Sequence, residues 1–143
     1  MALFTTYLSA LRKVKFCAAD IFPTSGICVK ILYVMRKRGN DAVAPSLGTL
    51  KWYKERQAHG VPEAFEIAKK DYLYSLLNSE EAKEWIDKIA KETQYTDIFL
   101  VCYEKDPDLC HRTLLAQQIV FRHPEVKFLG EVTDFQNRPK DAT

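Results

Sequence analysis

The chain has 143 residues, of which 47% are hydrophobic and 28% charged, and its formal net charge is +2. This composition is typical of one globular domain with its own core, and it excludes a largely disordered chain. No apolar run has the length of about 20 residues that is needed to cross a bilayer. The basic residues of 1–16 follow the apolar ones, whereas those of a secretory signal precede them. We therefore expect a cytoplasmic protein without membrane contact.

The first part of the chain predicts a helix, a turn and a strand. The apolar residues of 4–15 recur at helical spacing, which predicts a first helix. Turn residues mark 16–26, within which 16–21 could add a strand. Residues 27–35 are rich in β-branched and aromatic side chains and predict a strand buried on both faces. A charged loop, 36–41, follows it.

Three helices are predicted in the middle of the chain. Ser46 offers an N-cap to the first helix, and Gly60 ends it. Pro62 suits the first turn of the second helix. Asn78 and Glu81 have the spacing of a capping box for the third. The apolar residues of this third helix give the clearest helical period in the chain: Ala82, Trp85, Ile86, Ile89 and Ala90.

A strand–helix–strand unit follows. Residues 98–104 predict a strand, and Asp106 with Pro107 predicts the start of a helix that runs to Arg122. Residues 126–130 predict the next strand. The unit has the length of a βαβ crossover, about 30 residues, so we expect its strands to be parallel.

These elements predict an α/β fold: a small, largely parallel sheet flanked by helices in a Rossmann-like three-layer arrangement. We assign residues 1–132 to a single domain and 133–143 to a frayed C-terminal tail. Because three predicted strands make a thin sheet with exposed edges, a homodimer would suit it.

The candidate chemistry lies between the last two predicted elements. In open parallel sheets, ligands bind outside the carboxyl ends of the strands, where Cys102 and Glu104 would lie. We expect Cys110 in the first turns of the next helix, where the helix dipole lowers the pKa of a thiol. His111 adds a titratable base, and Arg112 adds a cation suited to an anion. A thiolate with a neighbouring base is typical of nucleophilic or redox chemistry.

The same residues also have a purely structural interpretation. Consecutive helical positions point in different directions, so Cys110, His111 and Arg112 would not converge on one atom. Cys110 would lie beside the core as an ordinary buried cysteine. The buried stripe of the helix would then consist of Leu109, Thr113, Ala116 and Val120.

The cysteines predict neither disulfides nor a metal site. Four cysteines, at 17, 28, 102 and 110, are too few for a disulfide framework, and none form a C-x-x-C pair. A metal site at Cys102, Cys110 and His111 would lack a fourth ligand at a recognised spacing, so we predict none.

The segment C-Y-E-K-D-P-D-x-C-H-R-T-L-L-A, after an apolar strand, resembles the signature of the family called domain of unknown function 488. The matching residues are Cys102, Glu104, Lys105, Asp106, Pro107, Cys110, His111 and Arg112. Residues 44–54 resemble a second, looser family segment. The resemblance implies a compact α/β fold and a site within 102–112, but no particular reaction or cofactor. The proline-rich turn of many members is missing after the first predicted strand, where Arg36 stands.

The leading hypothesis is an enzyme or ligand-binding protein that holds a small anionic ligand, a nucleotide or phosphate, at the strand ends. The catalytic candidates are Cys110, His111 and Glu104. The ligand-binding candidates are Arg112, Arg36, Asp106 and Lys105.

Two alternatives stay open. Residues 1–60 carry ten Lys and Arg against three acids, so the chain could bind nucleic acid through this basic half. The binding surface would then contain the cations of 36–38 and the aromatic pair Trp52 and Tyr53. In the second alternative, the chain is a scaffold in which 102–112 only builds a turn.

Overall fold

The computed structural model of the protein describes residues 1–13, 29–37, 39–61, 63–104, 110–134 and 139. Its elements, in chain order, are β1 (Leu3–Tyr7), α1 (Leu8–Lys13), β2 (Val29–Tyr33), a 3-10 helix (Asp41–Val43), α2 (Leu47–Ala58), α3 (Ala64–Asn78), α4 (Glu80–Glu92), β3 (Asp97–Cys102), α5 (His111–Arg122) and β4 (Phe128–Glu131). Within this described part, no helix has both the length and the apolar character needed to cross a membrane.

The four strands form one sheet in the order β2-β3-β1-β4, and every neighbouring pair is parallel. Tyr33 pairs with Val101, and Tyr7 pairs with Cys102. The carboxyl ends of β2, β3 and β1 therefore meet at one edge of the sheet. The predicted α/β fold with a small, largely parallel sheet is confirmed, in a three-layer-like arrangement.

The two faces of the sheet carry separate cores because side chains alternate along a strand. On one face, Leu3, Ile98 and Leu100 pack against apolar residues of α3, α4 and α5. On the other face, Phe4 stacks on Phe99 with ring centroids 4.8 Å apart. Cys102 has the same parity as Ile98 and Leu100, so its side chain lies on the face that the helices cover.

The prediction of a helix over 4–15 is wrong for its first part, because β1 occupies Leu3–Tyr7. Residues 4–7 are all aromatic or β-branched, which favours a strand, and β1 lies between β3 and β4 with both faces buried. A short apolar run of this kind has no helical or alternating period of its own. The predicted strand over 16–21 lies outside the described residues.

Local signals place some helix starts correctly and others not. Ser46 caps α2 as predicted, since its side chain accepts a hydrogen bond from the Thr49 amide. Helix α4 is capped by Ser79 and not by Asn78: the Ser79 hydroxyl accepts from the Ala82 amide at 3.1 Å. Ser79 is the better placed oxygen because α4 begins at Glu80.

Helix α5 begins at His111, so the expectation that Cys110 lies within its first turns is wrong. Cys110 is the N-cap residue, with extended backbone angles of φ −134° and ψ 151°. This extended residue separates α5 from the Asp106-Pro107 pair, which lies outside the described residues.

The buried stripe of α5 also differs from the predicted one. Thr113 and Val120 are only partly buried, and Leu109 lies outside the described residues. The residues that pack inward are Arg112, Leu114, Leu115, Ala116 and Ile119. Arg112, a residue type that is ordinarily exposed, is fully buried in this stripe and pairs with the Glu131 carboxylate, whose side chain is 21% exposed.

Candidate functional site

A cavity of about 220 Å³ opens at the carboxyl edge of the sheet. It lies between the ends of β2 and β3 and the helices α2, α3 and α5. The residues that form its apolar wall are Met35, Pro45, Leu50, Phe65, Ala68 and Leu114. Tyr53 of α2 meets Phe65 of α3 edge to face at 5.7 Å, which holds these two helices together beside the cavity.

Charged side chains line the same cavity. Arg36 follows β2, Lys54 comes from α2 and Lys69 from α3, and Glu104 adds a carboxylate. Arg36 Nη2 lies 3.9 Å from a carboxylate oxygen of Asp41, a distance at which its charge is only partly balanced. The lining therefore carries more positive than negative side chains.

Cys102, Cys110 and His111 form a cluster on the cavity wall. Cys102 ends β3, Cys110 caps α5, and His111 is the first residue of α5. The Cys102 sulfur lies 3.3 Å from His111 Nδ1, and the Cys110 sulfur lies 3.9 Å from the same atom. One strand end and one helix start thus bring together three groups that the sequence spreads over ten positions.

The His111 ring is held in place from two sides. Its Nε2 donates a hydrogen bond to the Val34 carbonyl, which can only accept, so Nε2 carries a proton. The ring of Tyr72 meets it edge to face at 5.3 Å. Nδ1 is therefore the ring nitrogen without that carbonyl contact, and both sulfurs lie near it.

The two thiols have opposite electrostatic environments. Burial opposes a charge on Cys110, but hydrogen bonds with Cys102, His111 and the Arg112 amide outweigh it and lower the pKa of Cys110 well below its ordinary value. Burial, followed by the neighbouring Cys110, raises the pKa of Cys102 far above its ordinary value. The cluster therefore favours one negative charge, placed on Cys110.

Arg112 lies beneath this cluster and is fully buried. Its Nε donates to Glu131 Oε1 at 2.9 Å, and its Nη2 donates to the second oxygen of that carboxylate. Its Nη1 donates to the backbone carbonyl of Glu104. Burial alone would lower the pKa of Arg112, but the hydrogen bonds with Glu131 raise it. Arg112 joins the end of β4 to the chain that leaves β3.

The structure brings some predicted site residues together and not others. Cys110, His111, Arg36 and the Glu104 side chain line the cavity. Arg112 contacts Glu131 instead of lining it. Lys105 and Asp106 lie outside the described residues.

Sequence reasoning missed several residues of the site. Lys54, Lys69 and Tyr72 line the cavity, and Val34 supplies a carbonyl to His111. Burial and the two nearby cysteines raise the pKa of Tyr72, whose hydroxyl donates to the Val43 carbonyl at 2.6 Å. Glu131 was missed as well, because the strand predicted over 126–130 ends one residue before it, whereas β4 includes it.

The comparison with protein families agrees with the resemblance seen in the sequence. The family model "Domain of unknown function DUF488" matches residues 29–119, well over half of the chain. This range runs from the first residue of β2 to Ile119 in α5, so it contains the Cys102–Cys110–His111 cluster and the residues that line the cavity. No curated protein and no solved structure matches the chain.

Proposed function

Because the chain belongs to the DUF488 family, whose function is unknown, we propose its function from the site: the cavity binds a small anionic molecule, and the Cys102–Cys110–His111 cluster acts on it. The observation that carries this proposal is the lining of the cavity. Three cations and the Glu104 carboxylate line an opening that also has an apolar wall, and the one cluster of sulfur and imidazole groups found among the described residues faces the same space.

The lining favours a molecule with two parts. Arg36, Lys54 and Lys69 would contact a phosphate or carboxylate group, because several cations that line one cleft attract anions. The wall formed by Leu50, Phe65 and their neighbours would contact an apolar or aromatic part. A nucleotide has both parts.

The cluster would supply the chemistry. His111 and Cys110 lie within reach of one bound group, since both line the cavity and their side chains are in contact. Glu104 could exchange a proton with the bound molecule from the mouth of the cavity. We propose a different role for Arg112 from the anion contact expected from sequence: it is a positioning residue that fixes the Glu104 backbone.

A thermal-shift screen tests the proposal. The purified chain is heated with nucleotides, nucleosides, inorganic phosphate and small carboxylates, one at a time. A ligand that binds only the folded chain stabilises it by about 2.7 kcal/mol at a hundred times its dissociation constant. We expect a hit among the anionic compounds and none among neutral nucleosides of the same ring.

The chain offers a matched control for this screen. Lys69 lines the cavity, whereas Lys70, its exposed neighbour on α3, does not. Lys69→Ala should abolish or weaken the shift, and Lys70→Ala should leave it unchanged. Equal shifts in the two variants would place the ligand elsewhere and contradict the proposal.

The nucleic-acid alternative gives a different result. Polynucleotides would then bind more tightly than the mononucleotide, with an affinity that falls by roughly 0.7–0.9 log units per log unit of salt for each phosphate contacted. That result, together with no shift from small anions, would replace the proposal.

A further inference from the structure

The donor atoms of the cluster have the separations of a metal site. Cys102 Sγ, Cys110 Sγ and a ring nitrogen of His111 all lie within 4.8 Å of one another. His111 Nδ1 is 3.3 Å from the first sulfur and 3.9 Å from the second. In a tetrahedral zinc site, with Zn–S of about 2.3 Å and Zn–N of about 2.0–2.1 Å, ligand atoms lie roughly 3.5–3.8 Å apart. One ion could therefore reach all three donors with little movement of the backbone.

The groups around the donors also suit a metal site. Metal-binding histidines typically donate their second ring N–H to a carbonyl or carboxylate, and His111 Nε2 donates to the Val34 carbonyl. That bond leaves Nδ1 as the ligand atom, and a rotation of the ring would direct it at the two sulfurs, since the Cys102 sulfur now lies 3.3 Å from Nδ1 and 3.4 Å from Nε2. The Tyr72 ring restrains the same imidazole from the side.

The charge of an occupied site would be balanced. Cys102 and Cys110 are 2% and 4% exposed, so two thiolates there need a cation close by. A divalent ion with two thiolates and a neutral imidazole has no net charge. The neighbouring Arg112–Glu131 pair is also neutral as a unit.

We infer that Cys102, Cys110 and His111 bind a transition-metal ion of the zinc class, with a fourth coordination position open to the cavity. Thiolate and imidazole ligands select zinc-like ions over magnesium or calcium. Three protein ligands with one open position are typical of catalytic zinc sites, in contrast to closed structural ones. From the sequence, the lack of a fourth protein ligand argued against a metal site. In this proposal, a bound molecule would occupy that fourth coordination position.

The role of this ion rests on the proposed function. An anionic group bound between Arg36, Lys54 and Lys69 would share the cavity with the open position. The ion would then polarise that group or a water molecule as a Lewis acid. Metal binding itself is measured without any organic ligand, so the two proposals can fail separately.

Cobalt titration tests the inference. The full chain carries Cys17→Ser and Cys28→Ser, so that Cys102 and Cys110 are its two cysteines, and is stripped with a chelator under reducing conditions. Added Co²⁺ should give thiolate-to-cobalt absorption and tetrahedral visible bands that saturate at one ion per chain. Zn²⁺ should displace it stoichiometrically.

Ligand variants locate the ion. His111→Gln keeps a donor for the Val34 carbonyl but removes Nδ1, and Cys110→Ser removes one sulfur. Each should weaken Zn²⁺ binding by more than about 100-fold, beyond the 10–100-fold typical of outer-shell changes. His123→Gln, at the other end of α5, should leave the affinity unchanged.

A measurement on the chain without ligand variants guards against misfolding. Saturating Zn²⁺ should slow the alkylation of Cys102 and Cys110 at least tenfold, as read by peptide mass spectrometry. The inference would be overturned by any of three results: no cobalt bands, loss of metal binding in the chain with Cys17→Ser and Cys28→Ser, or no protection of the two cysteines by Zn²⁺. Anion binding by a chain that binds no metal would leave the proposed function standing and overturn this inference. Metal binding by a chain that binds no anion would support this inference and contradict the proposed function.

Discussion

Helix α5 carries a histidine–arginine pair at each end, and the two pairs have different surroundings. At the start, His111 contacts two cysteines and Arg112 is 0% exposed against Glu131. At the end, Arg122 and His123 both contact Asp87, and the Arg122 side chain is 44% exposed. Both arginines make two hydrogen bonds to one carboxylate. The residue types and the bond pattern are nearly the same, so burial and the cavity distinguish the end with the proposed site from the other end.

Removal of the two arginines should give the largest difference between the ends. Arg112→Ala leaves Glu131 and the Glu104 carbonyl without their guanidinium partner, which should cost about 3–5 kcal/mol of unfolding free energy. Arg122→Ala removes an exposed pair and should cost about 0–1 kcal/mol. Urea unfolding followed by circular dichroism measures both. Equal losses would show that burial does not separate the two ends.

A double variant sharpens the same comparison. If the unpaired Glu131 carboxylate causes the loss of stability, Arg112→Met with Glu131→Leu should be more stable than Arg112→Met alone. If the double variant is less stable than the single one, the cost comes from packing around Arg112 and not from the isolated carboxylate.

Two tyrosines of α3 test the support of His111 at the buried end. Tyr72→Phe keeps the ring beside His111 but leaves the Val43 carbonyl without its donor, so it should cost about 1–2 kcal/mol. Tyr74, 70% exposed on the same helix, is the control, and Tyr74→Phe should change stability by less than about 0.5 kcal/mol. If Tyr72→Phe leaves the free energy of unfolding unchanged, the hydrogen bond from Tyr72 to the Val43 carbonyl does not stabilise the site.

The exposed end should respond weakly to acid. Hydrogen bonds from Arg122 and His123 lower the pKa of Asp87 to about 2. A lowered carboxyl pKa stabilises the fold above the unfolded pKa of about 4, and that stability is lost as the pH falls toward 2. Because Asp87 is exposed, the whole effect should stay below about 1 kcal/mol.

Unfolding free energies of wild type and Asp87→Asn between pH 5 and 2 measure this effect. The acid-dependent slope should be smaller in Asp87→Asn than in the wild type. An unchanged slope in Asp87→Asn would show that the contacts at this end do not form in solution.

The sequence predicted the elements whose signals are local. The Ser46 cap and the helical period from Ala82 to Ala90 depend on neighbouring residues, and both appear in the structure. The strand Leu3–Tyr7 was missed because the helical spacing of the apolar residues over 4–15 competed with the strand-favouring composition of 4–7, and its place between β3 and β4 decides the outcome. The segment 98–104 was placed correctly as a strand to within two residues.

The same distinction holds for the site. Cys102, Cys110 and His111 stand within ten residues, so a strand end followed by a helix start could be predicted to join them. Arg112 was expected to contact a ligand, but it pairs with Glu131. This pairing could not be predicted from the motif, because Glu131 comes from the next strand and nothing in the motif indicates that Arg112 is buried. Lys54, Lys69 and the Val34 carbonyl reach the cavity from other elements, which only the tertiary fold specifies.

The most direct test of the central claim is the alkylation of Cys110 by an anionic and a neutral reagent. The rates with iodoacetate and iodoacetamide are measured on the metal-free chain, folded and in urea, and Cys110 is read by peptide mass spectrometry. The ratio of the two rates cancels the intrinsic reactivity of the thiol. If the cations of the cavity attract anions to Cys110, iodoacetate should be favoured several-fold more in the folded chain than in urea, and Lys69→Ala but not Lys70→Ala should reduce that preference. The same ratio in the folded and unfolded chain would contradict an anion-binding site at this end of α5.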